Sequence, residues 1–170
     1  DPAWSPDGKH VAFVSVRTGS SRIFIFELAT NAIVSLIDPP ADVEEMRYPA
    51  WSPFGNQLAY SAKRFGVYQI WSMSDTGDGQ EQFVRSGLEF WDTHPVWSMD
   101  GTNIWFSRRR LGPGGKYYLM DISFGDRGGE GTRQDFGRLP IVNIHFSPDG
   151  FWMIFEGEDE EDNPDIFIMT

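Results

Sequence analysis

A five-residue phrase recurs four times along the chain: Trp4-Ser5-Pro6-Asp7-Gly8, Trp51-Ser52-Pro53-Phe54-Gly55, Trp97-Ser98-Met99-Asp100-Gly101 and Phe146-Ser147-Pro148-Asp149-Gly150. The opening aromatics lie 47, 46 and 49 residues apart, the interval at which each repeat is one blade of a β-propeller. Such a fold is a platform for binding, and its pattern says more about the surface presented than about the ligand.

The register extends past the phrase. A short alternating strand follows each glycine, with Phe13, Tyr60, Phe106 and Phe155 each five residues on. A second run opens at Ile23, Ile70, Tyr117 and Ile166, which are 15, 15, 16 and 16 residues past the glycine. The chain therefore reads as all-β, a β-propeller of four repeats. Each repeat is a four-stranded antiparallel blade with strands A to D from the axis outward, the last blade being incomplete. Blades fall at about 1–43, 44–89, 90–137 and 138–170. Strand A carries the phrase-opening aromatic, which is expected to be buried between blades in all four repeats. Strand D is the weaker stretch, such as Ala32 to Leu36 or Gln82 to Arg85. The A-to-B link is a tight turn in which proline pre-sets φ and glycine takes the positive φ that follows. Phe54 and Met99 interrupt the phrase yet keep the glycine, so turn geometry and not a carboxylate ligand is what the pattern preserves.

These residues resemble the TolB-type propeller repeat, a WD-repeat-like blade found in the periplasmic bacterial protein TolB and in the propellers of tricorn-type and prolyl-oligopeptidase-type peptidases. The resemblance covers essentially the whole chain, and it implies discs of about six or more blades. Four blades, the first opening inside strand A at Asp1 and the last ending inside strand C at Thr170, suggest part of a larger propeller. A closed four-bladed disc is the other solution.

Composition narrows the function classes. With 40% hydrophobic and 15% aromatic residues the chain can bury a core, and a net charge of -11 argues against nucleic-acid binding. Zero cysteines exclude disulfides and thiolate chemistry, and no stretch of 18 apolar residues offers a transmembrane segment. There is no Gly-x-Ser-x-Gly elbow. Gly112 to Lys116 lacks the spacing of a phosphate loop, Asp75 to Gly79 lacks the glutamate of a calcium loop, and three scattered histidines do not make a metal site. No catalytic residue, cofactor or metal is assigned.

Three candidate binding features remain. Three residues before each phrase-opening aromatic stand Asp1, Tyr48, His94 and Asn143, equivalent positions that would cluster at one mouth of the central channel and receive a small ligand or a peptide end. The B-to-C loops carry Arg17, Arg22, Lys63, Arg64, Arg108, Arg109, Arg110 and Lys116, 8 of the 14 basic residues. The matching segment of blade four is acidic, with Glu156, Glu158, Asp159, Glu160, Glu161, Asp162 and Asp165. A basic crescent beside an acidic lobe would orient a partner, either a protein in a larger complex or anionic lipid headgroups. Last, Ile166, Phe167, Ile168 and Met169 form an apolar edge strand suited to strand addition.

The reading that follows is a non-catalytic scaffold propeller, an envelope or extrinsic subunit of a larger, membrane-associated assembly, periplasmic or membrane-peripheral. Its alternative is the gating propeller of a larger peptidase-like enzyme whose catalytic domain lies outside this chain.

Overall fold

The computed structural model describes residues 2–115, 117–123, 125, 128–134, 142–158 and 163–169, and every helix-or-strand element among them is a β-strand. Asp1, Lys116, Asp159, Glu160, Glu161 and Asp162, together with the boundary between blades three and four, lie outside the described residues.

Blade one contains β1 (Pro2–Trp4), β2 (His10–Ser15), β3 (Arg22–Glu27) and β4 (Ala32–Ile37). Blade two contains β5 (Glu45–Trp51), β6 (Gln57–Arg64), β7 (Val67–Ser74) and a short β8 (Glu81–Gln82). Blade three contains β9 (Phe90–Trp97), β10 (Asn103–Arg110), β11 (Tyr117–Ser123) and β12 (Thr132–Gln134), and blade four β13 (Val142–Phe146), β14 (Met153–Glu158) and β15 (Pro164–Met169). Each sheet is an antiparallel meander in chain order, three sheets having four strands and the last three. The first strands of consecutive blades touch one another, β1 with β5, β5 with β9 and β9 with β13, as strands lining an axis do.

The repeated phrase builds the same turn four times. The amide of the glycine donates to the serine carbonyl (Gly8 to Ser5, 3.0 Å; Gly55 to Ser52, 3.0 Å; Gly101 to Ser98, 2.9 Å; Gly150 to Ser147, 2.9 Å). The φ values of these glycines lie between 67° and 74°, in the left-handed region where a Cβ is costly. In three blades the aspartate accepts a bond from the serine hydroxyl, Ser5 to Asp7 and Ser98 to Asp100 at 2.6 Å each and Ser147 to Asp149 likewise. It also accepts one from the amide two residues on. The Ser98 hydroxyl and Thr102 hold the Asp100 carboxyl down to about 2. Where Phe54 replaces the aspartate, Ser52 bonds Asn56 instead, at 3.2 Å. The carboxylate is thus spent inside the turn.

Alternation along the B strands sends side chains to both neighbours. Leu58, Tyr60 and Ala62 pack with Ala12, Ile23 and Ile25 of blade one, while Ala59 joins Ile70, Phe83, Trp97, Ile104 and Phe106 between blades two and three. A third cluster of Ile144, Met153 and Phe155 meets Val96 and Trp105 of blade three. The core is therefore three inter-blade layers, and the stack is held by nearest neighbours.

The expected burial of all four phrase aromatics needs correction. Trp97 is buried, Trp51 and Phe146 are half-buried, and Trp4 is 62% exposed. The aromatic seats against the preceding blade, as Trp97 does when its indole N–H donates to the Ala50 carbonyl at 3.3 Å. No described sheet covers that face of blade one. In blade four, Phe167 and Met169 turn to the core, with the Phe167 ring stacked on Phe155 at 5.6 Å. Ile166 and Ile168 stay exposed, so the edge is apolar on one face only.

Trp97→Ala is expected to cost roughly 3–5 kcal/mol, the range for removing a large core aromatic, and Trp4→Ala no more than about 0.5 kcal/mol. Urea unfolding of the 170-residue chain checks this, and equal losses would contradict the layer assignment.

Candidate functional site

Three of the four first strands, β5, β9 and β13, bend at one place. The ladder between β5 and β6 slips between Arg47 and Ala50, leaving Tyr48 and Pro49 opposite Tyr60 alone. The β9–β10 ladder does the same with His94 and Pro95 opposite Phe106, and β13–β14 with Asn143 and Ile144 opposite Phe155. These are β-bulges, which re-aim a side chain at the cost of one unpaired residue. Proline is tolerated there because the bulge frees it from donating to the ladder.

Tyr48, His94 and Asn143 are left-handed, with φ of 51°, 54° and 51°. Asparagine accepts this conformation, but a bulky tyrosine or histidine does so only at a cost of order 1–3 kcal/mol. Three successive blades therefore hold a left-handed non-glycine residue at one repeat position, strained at Tyr48 and His94. The Tyr48 and His94 rings stack across the blade boundary with centroids 3.7 Å apart at 29°, and His94 Nδ1 lies 3.1 Å from the Thr93 hydroxyl. In blade four the Asn143 amide donates to Glu156 Oε2 at 2.8 Å. Burial lowers the His94 pKa to about 4, against the pull of the Glu156 carboxylate and together with the push of His145. Tyr48, His94 and Asn143 on the innermost strands, with Glu156 of β14, thus combine a stacked aromatic pair, a neutral imidazole and an amide–carboxylate pair.

The basic residues are arranged differently from a loop-borne crescent. Lys63, Arg64, Arg108, Arg109 and Arg110 end B strands, and Arg22 opens a C strand. Arg108 is buried: it lies directly opposite Asp92 in the ladder and donates to both carboxylate oxygens, at 2.7 and 2.9 Å. Its guanidinium also lies over the Phe90 ring at 5.1 Å and the Phe106 ring at 5.5 Å. Burial pushes the Asp92 pKa up while Arg108 pulls it down. Arg108 therefore belongs to the interior and not to a surface that a partner meets. Three other cations pair with the segment between blades one and two: Arg22 with Asp38, Lys63 with Glu44 at 3.6 Å, and Arg64 with Asp42. Arg17 lies over the Phe13 and Phe24 rings at 5.3 and 4.9 Å. Exposed pairs of this kind add little stability, but they engage three of the cations that the sequence assigned to the crescent. Arg109 and Arg110 are exposed. Of the acidic lobe, Glu158 ends β14 and its side chain is outside the description, whereas Glu156 and Asp165 are exposed.

A profile of the family described as TolB beta propeller domain matches residues 1–169. The chain belongs to that family. The Tol-Pal system protein TolB of Bordetella pertussis is 34% identical over 126 residues, 74% of this chain and 27% of that protein, so the chain spans about a quarter of that relative's length. Among solved structures, TolB from Acinetobacter baumannii matches with a TM-score of 0.78 at 22% identity, covering 99% of this chain and 40% of that one. An oligogalacturonate lyase in complex with manganese matches with a TM-score of 0.64 at 13% identity, covering 99% and 49%. The two structural likenesses show a shared fold.

Sequence reasoning missed Asp92 and the acidic segment Asp38, Asp42 and Glu44, and it read Glu156 as part of an acidic lobe without its bond to Asn143. The signal for the acidic segment was present, since four acids within eight residues, Glu45 included, join strand D of one blade to strand A of the next.

The His94 shift has a definite sign. Histidine in an unfolded chain titrates near 6.5, so between pH 6.5 and about 4 the unfolded state binds the proton first. Stability is whole above pH 6.5 and falls as pH drops through that window, by roughly 2 kcal/mol once the ring's partial exposure is allowed for. Denaturant titrations from pH 7.5 to 4.5 should show a shallower fall in His94→Gln than in the wild type, and parallel curves would contradict the burial of the ring.

Proposed function

We propose that this TolB-type propeller is a non-catalytic, protein-binding scaffold in a bacterial envelope assembly of the Tol-Pal kind, and that a partner segment docks at the mouth formed by Tyr48, His94 and Asn143. The observation that carries this reading is the strain itself. Three consecutive blades each hold a non-glycine residue at left-handed φ at the same repeat position, and strain retained in this way gathers at binding and switching sites. Together with Glu156, these residues offer what a peptide end or loop needs: a stacked aromatic pair, a neutral imidazole and an amide-carboxylate pair on rigid strands. The periplasm is the compartment that accords with the Tol-Pal relative.

Docking through the basic face becomes a narrower proposal, because Arg22, Lys63 and Arg64 are already paired and Arg108 is buried. Contact with anionic headgroups would fall to exposed cations such as Arg110. The edge of β15, with Ile166 and Ile168 exposed, supports a second contact by strand addition. The peptidase-gate reading draws support only from the fold.

Affinity purification of the native assembly, followed by mass spectrometry, tests the mouth. Tyr48→Ala and His94→Ala are expected to reduce partner recovery about tenfold, a loss near 1.4 kcal/mol, while Arg109→Gln with Arg110→Gln retains it. Loss only in the arginine variant would move the partner to the basic face.

A further inference from the structure

The repeat supplies a control for the buried ion pair of blade three. Asp92 and Arg108 lie opposite each other in the β9–β10 ladder, and the residues in the same two places of blade two, likewise opposite and buried, are Met46 and Ala62. A buried ion pair gains little over apolar side chains of similar size, and the neighbouring layer of this same chain packs without one. Packing therefore does not explain why blade three carries the charges.

The pair leaves Arg108 an open edge. Nε and Nη2 donate side-on to Asp92, while the end-on edge, formed by Nη1 and the second Nη2 hydrogen, has no acceptor among the described residues. Nη1 is not sealed from solvent. The side chain keeps 8% exposure and borders a cavity of about 270 Å³ on the face of blade three that packs against blade two.

The rest of the lining repeats the charge and adds apolar surface. Arg110 lies two residues further along β10 and so on the same face. Arg133 stands opposite Met120 in the ladder, with its guanidinium over the Tyr118 ring at 4.4 Å. Phe90, Tyr118 and Met120 line the cavity as well, and Glu89 brings its one exposed carboxylate. Neither the Arg110 nor the Glu89 side chain makes a hydrogen bond or ion pair with a described residue. Three guanidiniums against two carboxylates, Glu89 and Asp92, leave a surplus of one positive charge.

The occupant follows from these groups. A cation meets three guanidiniums, and a neutral apolar molecule takes water from the Arg108 edge without replacing its hydrogen bonds. A dianion such as phosphate exceeds the surplus, meets Glu89 unfavourably and leaves the apolar side chains uncovered. A carboxylate is planar, carries one charge and fits a guanidinium edge with two parallel hydrogen bonds. The volume, just under the roughly 300–1,000 Å³ usual for ligand sites, limits the body behind it to about one ring.

We propose that this cavity of blade three is a binding site for a small monocarboxylate with an apolar body, an aryl or short alkyl acid. Arg108 takes the carboxylate end-on, Arg110 and Arg133 flank it, and Phe90, Tyr118 and Met120 hold the body. A macromolecular surface does not reach Arg108, but a ligand of this size does, and the site shares no residue with the mouth at Tyr48, His94 and Asn143.

The test follows the methionine methyl resonances of the intact protein, carbon-13-labelled at its six methionines, with Met120 assigned by Met120→Leu. The probes are phenylacetate and hexanoate, with phenylacetamide as the neutral counterpart and inorganic phosphate as an anion without an apolar body. A saturable shift of the Met120 methyl with at least one acid is expected, the other methyls being little changed, and binding roughly tenfold weaker or more for phenylacetamide and for phosphate. Arg110 is exposed, so Arg110→Gln is expected to fold and to weaken acid binding roughly threefold. Asp92→Met combined with Arg108→Ala transfers the apolar pair of blade two into blade three, and this double variant is expected to keep the other methyl resonances in place while losing saturable binding. Three outcomes overturn the proposal: no saturable shift with either acid up to its solubility limit, phenylacetamide or phosphate bound as tightly as the acids, or acid binding undiminished in Arg110→Gln.

Discussion

Each blade of this propeller is a sheet with two apolar faces, and no blade can cover either by itself. The constraint that organises the molecule is therefore the seat of one blade's first-strand aromatic, and of its B-strand alternation, on the sheet before it. Trp97 shows the seat completed, with its ring among Ala59, Ile70 and Phe83 and its N–H on Ala50. Tyr60 and Phe106, both fully buried, close the layers on either side of blade two. Removal of any one layer would leave a hydrophobic face open, which is why stability here is a property of neighbouring blades and not of single ones.

The same stacking creates the candidate mouth. Because the B-strand aromatic must fill an inter-blade layer, the strand opposite it accommodates the ring with two residues against one, and the first of those two turns left-handed. Tyr48, His94 and Asn143 are thereby lifted from the regular alternation and brought to the innermost strands, where Tyr48 meets His94 across a blade boundary. Packing energy in the layers thus holds backbone strain at the axis. Charge is handled in the opposite way: Arg22, Lys63 and Arg64 are matched by the acidic segment joining blades one and two, so these cations are engaged within the propeller.

Most of the fold was legible because it rests on spacing. A period of two around Phe13, Tyr60, Phe106 and Phe155, and a fixed distance from each glycine to the next strand, leave little choice of register. The turn was legible for the same reason, although the aspartate's use as an internal acceptor for serine was not. The equivalence of Tyr48, His94 and Asn143 could be read from the repeat, but their left-handed backbone could not, since tyrosine and histidine before or within a strand carry no sign of it. The arginine run misled through adjacency. In a strand, neighbours point to opposite faces, so Arg108 turns inward to Asp92 while Arg109 turns out, and only the three-dimensional ladder reveals a partner 16 residues away. Trp4 departs from its counterparts because the repeat specifies the residue and not the sheet that would cover it.

The central claim is that stacked blades bring first-strand residues from separate repeats into contact at the axis. Through-space proton–proton correlations between the Tyr48 and His94 rings measure this directly. The stacked geometry, with ring centroids 3.7 Å apart, predicts strong cross-peaks between the tyrosine ring protons and the imidazole C–H protons, although the residues are 46 apart in sequence. Their absence, with both ring systems assigned, would contradict the account.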